Sequence, residues 1–353
     1  MQVSFSNVYL RNVYFSQTKP LKKDNLSKTK SRDNLSLLPS YKISRAYAVI
    51  NFGQNIPTTV EEYEKTSPAQ IKHFRSLIRP TLHRNNIYSS DRGLARIKYV
   101  ADEILRRFQD QRFVSLGRSP IPFLEMAKAM ENGISDYDFV AFSKGKDLFS
   151  INTNTWQKSK ENPTIQQLSS YRNYLKTIKM DPESIINKAK EGEKTVIIDY
   201  CESGGGMKAF LEILRDWSLE QNNYEKLKKS VTVAPMFYSR YSSEKTFLQQ
   251  EKEYIIDGKK ITANLFKEFN AKPIDLSILD YYQYLMDIFN HKENTSFEKS
   301  YPASDWEKCI PKRGPIMGTI NSDLAKFAII DFLARIKTES PGIKTVIKKL
   351  LSR

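Results

Sequence analysis

The chain has 353 residues, 40% hydrophobic and 27% charged, with 19 Tyr and 19 Phe. That is enough apolar material for a buried core, which excludes wholesale disorder, and more length than one minimal core needs. Lys and Arg number 56 against 40 Asp and Glu, a net charge of +16, so the field favours anionic partners: phosphate-rich small molecules, nucleic acid or an acidic membrane surface.

No apolar run approaches the roughly 20 residues a membrane helix requires. The first residues lack the continuous apolar segment of a secretory signal. Two cysteines, Cys201 and Cys309, form neither a disulfide framework nor a Cys-rich zinc site, so a reducing, cytoplasmic setting is expected. Residues 1–46 hold nine basic side chains and two acidic ones in a Ser-, Asn- and Lys-rich context. They read as a basic flexible arm: a solvated tail, a tether to nucleic acid or lipid, or an export signal.

Order is expected from about Ala46. Leu94, Ile97, Val100, Ala101, Ile104, Leu105 and Phe108 form a helical stripe between Asp91 and Asp110. A short buried strand, Arg112–Leu116, follows, then the turn Gly117-Arg-Ser-Pro120 and a helix from Pro122 to Met130. Asp138–Phe142 is the next strand, with a Lys/Gly loop after it, and helical material fills Ile165 to Lys190.

Thr195–Asp199 is the most strand-like run in the chain. It leads through Glu202-Ser-Gly-Gly-Gly206 into a helix from Met207 to Trp217, and Val231–Met236 is the strand after that. Strands alternating with helices at this spacing predict an α/β fold with a parallel sheet. Beyond Tyr238 the pattern changes. Asp257-Gly258 marks a hairpin between Tyr254–Ile256 and Lys259–Ala263. Amphipathic helices are predicted over Leu276–Phe289 and Asp323–Ile336. The domain expectation is an arm (1–46), an α/β core (47–240) and a mainly helical C-terminal elaboration or hood (241–353).

In a parallel α/β sheet, ligands bind beyond the carboxyl ends of the strands. Two loops fall there. Gly204, Gly205 and Gly206 between an apolar strand and a helix let the backbone approach an anion, with helix amides pointing at it and the Ser203 hydroxyl as a further donor. The alternative is a glycine-rich turn without a ligand. Gly117, Arg118 and Ser119 form the second candidate anion loop.

Together these segments resemble the type I phosphoribosyltransferases. Val196-Ile-Ile-Asp-Tyr-Cys-Glu-Ser-Gly-Gly-Gly-Met207 follows the register of that family's diagnostic loop, with Asp199 on its second acid, Glu202 on the Asp preceding Thr/Ser, and Ser203-Gly204 on the Thr/Ser-Gly pair. Phe113 to Ala127 looks like its pyrophosphate loop, and Lys144 and Lys146 lie where the family has a flexible loop.

Three departures stand out. Ile198 replaces the first acid, Gly206 replaces a Thr, and Pro120 removes an amide from the pyrophosphate loop. The resemblance covers roughly Asp91 to Ser239. It implies a divergent phosphoribosyltransferase-like core, phosphoribosyl pyrophosphate as substrate, and Mg²⁺ held by Asp199, which also holds the ribose hydroxyls. Ser203 and the amides of Gly204, Gly205 and Gly206 would hold the 5′-phosphate. Gly117, Arg118, Ser119, Lys144 and Lys146 would hold pyrophosphate, and Glu202 would serve as general base.

Two other readings stay open. One is an S-adenosylmethionine-dependent methyltransferase, whose glycine-rich first loop Asp199–Gly206 also resembles. The other is a catalytically silent regulator of nucleotide or RNA. For the latter, Lys72-His-Phe-Arg75 and Phe237-Tyr-Ser-Arg240 interleave basic and aromatic residues, as phosphate pairing and base stacking require. The same residues also suit an amphipathic surface covering apolar neighbours. His73, His83 and His291 have no metal-ligand spacing.

Overall fold

The computed structural model describes residues 56–81, 87–142, 163–202, 204–240, 243–249, 251–256, 259–279 and 322–338. The basic arm, the helix beyond residue 279, Lys144, Lys146, Ser203 and Cys309 therefore lie outside the described residues.

Five strands form one parallel sheet: β1 (Arg112–Leu116), β2 (Tyr137–Val140), β3 (Thr195–Tyr200), β4 (Val231–Phe237) and β7 (Ile274–Asp275), in the spatial order β2-β1-β3-β4-β7. The apolar runs predict this. A strand covered on both faces has no polar side, and β4 is buried at every position. Side chains alternate between two cores. Val114, Leu116, Ile197 and Val233 face a layer containing α5 (Ile165–Thr177), α6 (Pro182–Lys190), α7 (Gly205–Glu220) and α8 (Tyr224–Ser230). Phe113, Val196, Ile198 and Ala234 face α3 (Asp91–Arg107), α4 (Ile121–Ala129) and α11 (Ser322–Thr338).

The helix after β1 thus covers one face and the helix after β3 the other. This is a doubly wound α/β architecture whose strand order reverses between β1 and β3.

Two short helices, α1 (Val60–Lys65) and α2 (Pro68–Thr81), pack on α11 through Tyr63, Phe74, Phe327 and Ile330. The buried Asp331 carboxylate pins them, accepting from the Tyr63 hydroxyl at 2.7 Å, Arg75 Nε at 2.8 Å and Arg335 Nε at 3.1 Å. Phe74 is core and Arg75 is spent on Asp331. Phe237 and Tyr238 are likewise buried. Phe74, Phe237 and Tyr238 are therefore withdrawn from base stacking, while the His73 ring stays exposed.

Several boundaries differ from the sequence expectation. The helical stretch 165–190 is two helices, because Asp181 accepts from the Ser184 amide and Pro182 suits a first helical position. Residues Leu276–Leu279 are turn rather than helix, held by the Leu279 amide donating to the Leu276 carbonyl at 2.8 Å. The hairpin forms as predicted, with β5 (Lys252–Ile256) and β6 (Lys259–Ala263) pairing antiparallel between α9 (Glu244–Leu248) and α10 (Leu265–Glu268). Beyond residue 240 the chain also supplies β7 and α11 to the sheet and its cover.

Candidate functional site

β1 and β3 are parallel neighbours in the register Ser115 opposite Ile198, so the turn at Gly117 and the turn at Cys201 leave the same edge of the sheet about one strand spacing, ~5 Å, apart. Beyond that register the backbone divides. The Gly117 amide donates to the Val140 carbonyl of β2 at 2.9 Å, whereas the Cys201 amide donates to the Met236 carbonyl of β4 at 2.7 Å. Pairing between β1 and β3 thus stops at Ser115 and Ile198, while each strand stays paired with its outer neighbour beyond that point. Doubly wound sheets place their ligands at this point.

The glycine loop is shaped for it. Gly204 caps α7 in the left-handed conformation, φ 75°. A Cβ there would sit 2.8 Å from the Phe266 ring, so only glycine fits. At Gly206 a Cβ would meet nothing within 4 Å. Packing therefore does not demand glycine at Gly206, although glycine in a helix costs about 1 kcal/mol relative to alanine. The first turn of α7 presents bare amides at its open end, carrying the positive end of a 16-residue helix dipole.

On the β1 side, Gly117 is also left-handed, φ 72°, with a would-be Cβ 3.1 Å from the Phe142 carbonyl oxygen. Its own carbonyl accepts from the Ser115 hydroxyl at 2.8 Å, which fixes the turn that carries Arg118 and Ser119. Both of these are partly exposed.

Asp199 lies at the end of β3 and keeps some surface, but protein packs around its carboxyl. That desolvation pushes it well above the usual carboxylate range, opposed only by the Tyr200 amide. Among the described residues it has no ion pair with a basic side chain. Two residues on, the Cys201 thiol is buried and pushed up by the same desolvation and by the neighbouring Asp199, so it is a packing residue rather than a nucleophile. Glu202 is exposed at the mouth of the loop. Ile198, at the position of the missing acid, is core.

Gly117, Arg118, Ser119, Asp199, Glu202, Gly204, Gly205 and Gly206 are therefore brought to one sheet edge. Two residues escaped the sequence reading. Lys208 lies in the first turn of α7, its amide on the Gly204 carbonyl at 2.9 Å and its ammonium 5.8 Å from the centre of the Phe266 ring. Phe266 is fully buried under Gly204. Lys208 had a readable signal, since a cation in a helix's first turn runs against the dipole. Phe266 had none, being 62 residues away in sequence.

The carboxyl end of β4 offers no acid, passing through Tyr238 and Ser239 to Arg240. An open cleft of about 870 Å³ lies at the opposite, amino edge, between Gln111, Arg112, Asp138 and Lys179. Among the described residues no group of three or more His, Cys, Asp and Glu gathers as a metal centre, and no helix is long and apolar enough to cross a membrane. No family model, curated protein or solved structure matches this chain.

Proposed function

We propose that the crevice between the β1 and β3 loops binds a sugar phosphate carrying a pyrophosphate leaving group, with phosphoribosyl pyrophosphate the intended member of that class, and transfers its ribosyl group to a nucleophile. The observation that supports it is the split of backbone pairing, Gly117 to Val140 and Cys201 to Met236, with two anion-suited turns at one edge of the sheet. In this scheme the amides of Gly204, Gly205 and Gly206, with the Ser203 hydroxyl, hold the 5′-phosphate. Gly117, Arg118 and Ser119, with Lys144 and Lys146, neutralise the pyrophosphate. The bond from C1 to pyrophosphate oxygen breaks with its electron pair leaving on pyrophosphate, and the nucleophile's lone pair closes on C1. Glu202 takes the proton the nucleophile releases.

Asp199 fits a cation. It is a desolvated carboxyl with no basic partner among the described residues, and in phosphate chemistry Mg²⁺ takes one or two carboxylates and completes its shell with substrate oxygens and water. Bound there with substrate, Mg²⁺ would supply charge neutralisation at the leaving group. Asp199 would orient the ribose hydroxyls.

The burial of Ile198 favours a second reading, a binding protein on the same fold that holds the nucleotide without turnover. The two are separated by measuring pyrophosphate release from phosphoribosyl pyrophosphate, with and without Mg²⁺ and in the presence of mixed nucleobases and amines. Mg²⁺-dependent release abolished by Arg118→Met supports the transferase. Tight binding without release supports the regulator. Absence of both removes the proposal.

A further inference from the structure

We propose that α1 and α2 form a strap on α11 that opens as one unit while the sheet stays folded, with the Asp331 carboxylate as its fastener. The strap is lightly held. Among the described side chains of its two helices, only Tyr63 and Phe74 are buried, their rings 6.1 and 5.2 Å from the Phe327 ring. α1 has six residues, far short of the roughly 12 an isolated helix needs in water, so packing on α11 is what keeps it helical. α11 is built differently, being apolar on two faces. Ala325, Ala328, Ile329, Phe332 and Leu333 join the core against the sheet, whereas Phe327, Ile330 and Ala334, at i, i+3 and i+7, lie under the strap. Arg335 also ties α11 to α3, donating to both Asp91 carboxylate oxygens at 3.0 and 2.6 Å. Opening the strap therefore leaves α11 in place and bares its second apolar stripe.

The polar fastening is concentrated on one group. Asp331 Oδ1 accepts from the Tyr63 hydroxyl at 2.7 Å and from Arg75 Nε at 2.8 Å. Arg75 Nη2 in turn donates to the Tyr63 oxygen at 3.0 Å, which closes a ring of hydrogen bonds joining α1, α2 and α11. Because each bond in the ring supports the others, losing it frees both helices together. The Asp331 side chain is 6% exposed, but that of Arg75 is 45% exposed, so water reaches the fastener without disturbing the core. The ion pair between Glu64 and Lys337, at 3.2 Å, lies at the surface and adds little. A unit with few buried contacts and a solvent-reachable fastener opens at a lower free energy than the two layers that cover the sheet.

The test is hydrogen exchange of the full-length protein, read by mass spectrometry and corrected for intrinsic amide rates, on wild type, Tyr63→Phe and Asp331→Asn. In the wild type, α1 and α2 are expected to exchange through one common opening, faster than α11, β1 and β3. Tyr63→Phe keeps the packed ring and removes only the hydroxyl. It is expected to speed exchange in α1 and α2 roughly tenfold, the size of a buried hydrogen bond to a charged group. Asp331→Asn leaves two guanidinium groups facing a neutral amide and is expected to speed it about a hundredfold or more, with β1 and β3 unchanged. Exchange of α1 and α2 no faster than that of β1 and β3 in the wild type overturns the strap. So does separate opening of α1 and α2, or protection lost equally from strap and sheet in Asp331→Asn. Unchanged exchange in Tyr63→Phe overturns the hydrogen-bond ring as the fastener.

Discussion

The two edges of the central sheet are built to opposite rules. At the amino edge, charge is settled within the protein. Arg112, whose side chain is 9% exposed, pairs with Asp138 at 2.6 Å and also donates to the Lys179 carbonyl at 3.1 Å, and Lys188 pairs with Glu193 at 3.0 Å. Left-handed residues follow the helices there, Asp110 at φ 59° and Lys179 at φ 56°, and at Lys179 the turn closes locally, its amide donating to the Lys176 carbonyl at 3.1 Å. At the carboxyl edge, a carboxyl is desolvated with no basic partner among the described residues, and a glycine stands where alanine would fit. The cleft of about 870 Å³ lies at the amino edge and the candidate site at the carboxyl edge.

This contrast predicts a double dissociation, binding lost at one edge and stability at the other. The largest effect is expected from Gly204→Val. A branched side chain at φ 75°, driven into the Phe266 ring 2.8 Å from its first carbon, is expected to cost about 3–5 kcal/mol in denaturant unfolding and to abolish sugar-phosphate binding. Next, at the amino edge, Asp138→Ala leaves the Arg112 guanidinium without its carboxylate and is expected to cost about 1–2 kcal/mol, with ribose 5-phosphate affinity unchanged. Affinity loss in Asp138→Ala equal to that in Gly204→Val would erase the distinction between the edges.

Gly206→Ala sharpens it. The open space and ordinary helical position predict a gain of about 0.5–1 kcal/mol in the unliganded protein, together with weaker phosphate binding as the methyl group intrudes on the amides. Stability and affinity moving in opposite directions is the signature of a glycine kept for a ligand.

Asp199 gives a pH effect. Its carboxyl is raised in the folded state, so between the ordinary carboxylate range and that raised value the folded chain holds a proton the unfolded chain has lost. Stability from this group therefore falls as pH rises through that window, and Asp199→Asn is expected to raise Tm at neutral pH and flatten the decline. A steeper decline in the variant would contradict the assignment. The smallest effect is Lys179→Gly, which relieves a left-handed lysine and is expected to add about 0.5 kcal/mol without touching binding.

Much of this was legible in the residues. Continuous apolar runs at Phe113 and Val196 announced buried parallel strands, and the glycines after β3 announced the turn. The break at Asp181-Pro182 was legible but masked by an apolar stripe that continues in phase through it. β7 was not legible, since two residues, Ile274 and Asp275, carry no periodicity and become a strand only by pairing with Met236 and Phe237. The adjacency of the two loops followed from sheet order, which no local pattern encodes. The seat of Lys208 on Phe266 joins α7 to α10 across a tertiary contact, beyond the reach of any motif.

The most direct measurement is isothermal titration of phosphoribosyl pyrophosphate, with Mg²⁺, into the wild type and Gly205→Asp. A carboxylate placed at the first residue of α7 faces the same amides as the phosphate. Saturable one-site binding in the wild type, lost in the variant, is the predicted result. No heat in the wild type, or equal affinity in both proteins, would contradict a phosphate site between the β1 and β3 loops.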